Sequence, residues 1–139
     1  MITTLLVTED IRFYEHSGID LKGLVRATYG VVKNVATFGS SGLEGGGSTI
    51  SQQLAKNLFK IRREKKGKLS NVPFLGLIIS KVKEWIVAVK LEEFYTKKEI
   101  LAMYLNTAEY GSNSYGIKVA AKTYFDKKPS ELNYNESSI

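Results

Sequence analysis

Two stretches of this chain mark where helices begin, and together they leave little room for a sheet. Thr49 is followed three residues later by Gln52, and Thr96 by Glu99, the spacing at which a hydroxyl and a longer polar side chain satisfy the free backbone groups of a first helical turn. Behind the first pair, Ile50, Leu54 and Leu58 recur at helical spacing, and behind the second Ile100, Leu101, Tyr104 and Leu105 do the same. Leu24, Val25, Val31, Val32 and Val35 make residues 21–38 an amphipathic segment. Val82, Trp85, Ile86 and Val89 form the i, i+3, i+4, i+7 stripe expected of a core-facing helix that runs to about Tyr95. A further helix carrying Ile117, Ala120, Ala121 and Tyr124 is expected after the turn residues of Gly111 to Gly116. Period-two alternation is weak throughout, so the expected fold class is mainly α.

The connectors are equally legible. Residues 39–47 hold five glycines and cannot form a regular element, while the basic run Lys60 to Lys68, followed by Asn71 and Pro73, is expected to be a loop. No internal repeat is present, and 139 residues with 43% hydrophobic and 24% charged residues suit one unit, residues 1–139, with its own core. A formal charge of +6 favours anionic partners: phosphates, nucleic acid or an acidic membrane surface. The absence of cysteine excludes thiolate chemistry and disulfides, and the single His16 argues against a histidine-built metal centre. Apolar runs such as Phe74 to Ile79 fall far short of the ~20 residues needed to cross a bilayer.

Three clusters could carry chemistry. Glu9 and Asp10 stand beside Phe13, Tyr14 and the only histidine, so that an apolar setting could raise one carboxylate's pKa; the same residues could equally be a helix end with solvated acids. Gly45 to Gly47 opens the helix that starts near Ser48 and Thr49, where free N–H groups and the positive helix end suit an anionic oxygen, or where a hinge meets an ordinary cap. Gln52, Gln53, Lys56 and Asn57 follow on that helix, and the Gly-Lys-Ser/Thr ending of a nucleotide-binding loop is missing. Lys81 and Glu84, three apart, share a helix face, as an exposed pair or as joint lining of a cleft. Ile100 to Asn106 and Gly116 to Phe125 read as structural.

Taken in order, these clusters resemble the five signatures of glycosyltransferase family 51, found in class A penicillin-binding proteins and monofunctional transglycosylases. Glu9-Asp10 with Phe13, His16 and Gly18 is similar to the first. Gly47-Ser48-Thr49 with Gln52, Gln53, Lys56 and Asn57 is similar to the second, and Lys81 with Glu84 to the third. Ile100 to Asn106 and Gly116 to Phe125 match the fourth and fifth. Ser80 stands where the third signature usually opens with arginine, and the linker from Asn57 to Glu84 is longer than usual. Arg62, Arg63 and nearby lysines are the candidates for a second phosphate-binding group.

The resemblance implies a lysozyme-like, two-lobed helical domain with a central cleft, incomplete at both ends. It implies polymerisation of lipid II into a lipid-linked glycan strand at the outer face of the bacterial cytoplasmic membrane, with the membrane anchor absent from this chain. A cell-wall synthesis complex is the implied partner, and nucleic acid is not. Glu9 is expected to be the base that takes the proton from the acceptor 4-hydroxyl as it attacks C1 with inversion. Asp10, Phe13 and His16 would support Glu9, while Ser48, Thr49 and Gln53 would hold donor phosphate or sugar. Lys56 and Lys81 would stabilise the departing pyrophosphate. Glu84 would orient the lysines or hold a divalent metal such as magnesium that arrives with the pyrophosphate; no tightly bound cofactor is expected. Both carboxylates are expected to line one cleft, with the helix N-terminus near Ser48 aimed into it. The rival readings are a lysozyme-like glycan hydrolase or lytic transglycosylase, a basic nucleic-acid-binding module, and a truncated, inactive glycan-binding remnant.

Overall fold

The computed structural model describes residues 2–36, 47–59, 73–133 and 135–138. Within them the chain is mainly helical: α1 Ile2–Glu9, α2 Leu21–Ala36, α3 Ile50–Phe59, α4 Pro73–Phe94, α5 Lys97–Thr107 and α6 Ile117–Phe125. Extended pairing among the described residues is limited to an isolated antiparallel bridge between Glu109 and Tyr115. Most of the glycine-rich connector and the whole basic run Lys60 to Lys68, with Arg62 and Arg63, lie outside the described residues.

The core sits where α3 packs against α4 and α5. Phe13, Ile50, Leu54 and Ile100 are completely buried, with Leu91, Leu101, Tyr104 and Ala108 around them. Each large side chain buried in this way contributes about 1.5–3 kcal/mol. Phe13 belongs to a short 3-10 turn, Phe13–Glu15, so the segment after Glu9 is pinned into the same core that holds α3 and α5. That shared anchorage places Glu9 beside α3.

Local chemistry explains the helix starts. Thr96 and Glu99 form a complete capping box, with the Thr96 amide donating to Glu99 Oε2 at 2.7 Å and the Glu99 amide donating to Thr96 Oγ1 at 3.3 Å. At α3 only half of the expected box forms. The Gln52 amide donates to Thr49 Oγ1 at 3.2 Å, but the Gln52 side chain turns instead to the carbonyl of Gly18, also at 3.2 Å.

Two expectations need correction. α4 begins at Pro73, inside the stretch expected to be a loop, because proline is well suited to a first helical position where its missing N–H costs nothing. The stripe Val82, Trp85, Ile86, Val89 is not the buried face: Val82 is 42% and Ile86 54% exposed, whereas Glu84, Ala88 and Leu91 are buried. The residues from Val82 to Leu91 are apolar nearly all round, so periodicity alone could not choose which side meets α3.

Gly18 ties the first signature to α4. Its φ of +91° and its approach to the chain leave no space for a side chain, since a Cβ would stand 2.8 Å from the Ala88 carbonyl group. The Gly18 carbonyl in turn accepts from Thr49 Oγ1 at 2.7 Å and from Gln52 Nε2. One short backbone segment therefore joins α3 and α4.

Candidate active site

Glu9 ends α1 and is solvent-exposed at the edge of a cleft of about 270 Å³ lined by Thr8, Arg12, Arg26, Gly47, Ser48 and Thr49 among others. On its other side it borders a more apolar hollow of about 360 Å³ walled by α1, α6 and the C-terminal turns. Gln53 Nε2 donates to Glu9 Oε2 at 2.8 Å, and Tyr104 donates its hydroxyl to Gln53 Oε1 at 3.0 Å. Burial, and after it the negative charge of Glu9, pushes the Tyr104 phenol up to about 12. The expected donor-binding residue Gln53 is thus engaged with the carboxylate.

Asp10 lines the same cleft as its neighbour but is committed to other partners. It is buried, accepts the Ile50 amide at 3.0 Å, and is hydrogen-bonded to His16 Nε2 at 3.0 Å. An anionic oxygen does meet the N-terminus of α3, as expected, but it is this carboxylate rather than a ligand that takes the Ile50 amide. Gly47, Ser48 and Thr49, just before the helix, still line the cleft with Glu9.

Lys81 links α4 to the cleft. Its ammonium donates to Ser48 Oγ at 2.8 Å and to Glu84 Oε2 at 2.9 Å. Glu84 is 2% exposed and does not border the cleft itself; it reaches the cleft through Lys81 and Ser48. Excluding water strengthens the attraction between this carboxylate and the ammonium, at a desolvation cost that the pairing itself must offset. Lys56 and Asn57 stand exposed on the second half of α3.

Three groups of residues escaped the sequence reading. Arg12 pairs with Asp20 at 2.5 Å on the cleft wall, and Arg26 borders the same cleft. Burial pushes the Asp20 carboxyl up, but the Arg12 hydrogen bond and the Gly23 amide outweigh it and leave the group below its ordinary value. Behind the site, Ser51 donates to Glu92 at 2.5 Å. Lys97 bridges Glu92 and the His16 carbonyl at 2.8 and 2.6 Å, and lies 4.3 Å from the centre of the Phe13 ring. The third group is the Tyr104 contact to Gln53. The Ser51–Glu92, Lys97–His16 and Tyr104–Gln53 contacts join residues 41 to 81 positions apart and leave no local signal, whereas Arg12, so soon after Glu9-Asp10 and only eight residues from Asp20, is a visible cue for anion binding.

No group of three acidic or histidine side chains converges among the described residues, and Glu84 is already ion-paired. A positive charge at this point is supplied by Lys81 itself.

The chain is thus mainly helical, with an exposed glutamate beside a charged cleft that carries Arg12 and Arg26, and a buried acid paired with a lysine. It belongs to the transglycosylase family, whose profile matches residues 1–139. It is 41% identical to penicillin-binding protein 1A of Haemophilus influenzae over 139 residues, all of this chain and 14% of that protein. It is 37% identical to penicillin-binding protein 1A of Escherichia coli over the same span, again 14% of that protein. Penicillin-binding protein 1F of Bacillus subtilis is 39% identical over 134 residues, 96% of this chain and 16% of that protein. The chain therefore spans about one-seventh of the length of these relatives.

Proposed function

We propose that this chain is the catalytic portion of a peptidoglycan glycosyltransferase that extends a lipid-linked glycan strand from lipid II, with Glu9 as general base. The observation that carries the reading is the position of Glu9: exposed, held by Gln53, and facing a cleft that also presents Arg12, Arg26 and Ser48. A base needs an oxygen open to the attacking hydroxyl, and a pyrophosphate needs fixed positive charge. The exposed Glu9 supports the first, and Arg26 with Lys81 behind Ser48 supports the second, whereas a glycan hydrolase would need only the first.

Attack of the acceptor 4-hydroxyl on the donor's C1 transfers the hydroxyl proton to Glu9 and breaks the bond from C1 to the pyrophosphate oxygen. The departing diphosphate carries the bonding electrons and needs charge compensation rather than a proton. In this reading Lys81, held by Glu84 and Ser48, supplies it, with Arg26 and the exposed Lys56 as further cations, while Arg12 is already paired with Asp20. A divalent ion such as magnesium would enter bound to the substrate's own phosphates. Thr49 is committed to Gly18 and Asp10 to Ile50, so both act by shaping the cleft.

The lipid substrate places the reaction at a membrane surface, on the outer face of the cytoplasmic membrane. No helix among the described residues is long and apolar enough to cross a bilayer. Surface docking instead fits α2, where Leu21, Val25 and Tyr29 recur every fourth residue at 68–70% exposure beside Lys22, Arg26 and Lys33. A cell-wall synthesis complex is the partner this location implies.

The test is the product. Full-length protein incubated with lipid II in detergent or vesicles should yield glycan polymer and free lipid pyrophosphate, and should leave preformed glycan uncut. Cleavage of the glycan without polymer formation would contradict the reading.

A further inference from the structure

We propose that Tyr104 is a positioning residue for Glu9, acting through the side-chain amide of Gln53; the inference rests on Glu9 being the base. The chemistry of the three groups fixes the direction of the chain. A carboxylate only accepts hydrogen bonds, so the amide must turn its N–H to Glu9, and its carbonyl oxygen then faces the phenol, which must donate. Turned the other way, Gln53 would set its oxygen against the carboxylate.

Tyr104 is suited to hold that orientation. It is 8% exposed and lies in the core cluster with Phe13 and Leu101, so its ring has one place to be. With its phenol raised to about 12, the hydroxyl remains a donor throughout the physiological range. Gln53 alone, on a partly exposed helix face, would be free to rotate. With Glu9 Oε2 engaged by the amide, the carboxylate is held in one rotamer and Oε1 is left to meet the acceptor hydroxyl. A base fixed in advance removes orientational freedom that the transition state would otherwise have to restrict.

Tyr104→Phe deletes the hydroxyl and keeps the ring. In the full-length protein it should lower kcat for lipid II polymerisation about tenfold, with KM within about twofold of wild type, as expected for one hydrogen bond supporting a charged group. In a Gln53→Ala background the same change should have no further effect, because the relay is already broken. A merely structural role would give multiplying losses in the two variants, and a substrate-binding role would raise KM; either result overturns the proposal. A crystal structure of the Tyr104→Phe protein gives a readout independent of turnover. Gln53 should leave Glu9 or lose its single position, and retention of the 2.8 Å contact overturns the relay. If wild-type protein does not polymerise lipid II, the proposed function fails, while the crystal structure still decides whether Tyr104 positions Glu9.

Discussion

The Asp10 carboxylate sits on the first amide of α3, 3.0 Å from the Ile50 nitrogen, although 40 residues separate the two in sequence. Glu9 and Asp10 are therefore adjacent residues with divided tasks. Glu9 stands exposed at the cleft, and Asp10, buried in the cleft wall, fastens its own segment to the helix that carries Gln53. The helix end prefers a negative charge to a neutral acceptor, and His16 completes the arrangement.

Asp10→Asn keeps the shape and removes that charge. Urea unfolding should show a loss of about 1–2 kcal/mol relative to wild type, with the slope unchanged. Stability equal to wild type would show that charge at the α3 terminus is unimportant.

The Arg12–Asp20 pair gives a pH signature. Asp20 titrates below its ordinary value of 3.8 in the folded chain, so its charged form stabilises the fold. That contribution is complete above the unfolded value and disappears as pH falls through the folded one. Asparagine caps a helix about as well as aspartate, so Asp20→Asn isolates the charge at the start of α2. The variant should melt below wild type at neutral pH, and the gap should close as pH falls from about 4 downward. A gap that persists unchanged at the lowest pH would assign the effect to capping geometry instead.

The apolar stripe of α2 predicts surface binding. Replacing Leu21, Val25 and Tyr29 together by serine should weaken sedimentation with anionic phospholipid vesicles about tenfold or more, while leaving the melting temperature within a few degrees, since all three are exposed. Undiminished vesicle binding would remove α2 from the membrane-facing surface.

Much of this was readable in the residues, for identifiable reasons. Caps are local, so Thr96 with Glu99 marked the start of α5 correctly, and Thr49 marked that of α3. α1 was not foreseen: Ile2 to Glu9 lacks a polar face, and the helix gains its support from Leu5 and Leu6 packing against a core assembled from distant segments. The buried side of α4 is not legible from periodicity because it includes a charged residue, Glu84, paired with Lys81, and Ala88, against which Gly18 seats. The pairing of Lys81 with Glu84 could be anticipated from their spacing, but its bond to Ser48 could not. Tyr104 looked like a core residue and is one; only tertiary structure reveals where its hydroxyl ends.

The most direct test of the central claim is polymerisation of lipid II by the full-length Glu9→Gln protein, measured alongside its melting temperature. Glutamine keeps the length and hydrogen-bonding shape of the side chain but cannot take the acceptor's proton. The account predicts a rate lower by about 10²- to 10⁴-fold with the fold intact. Polymer formation at close to the wild-type rate would contradict Glu9 as the base.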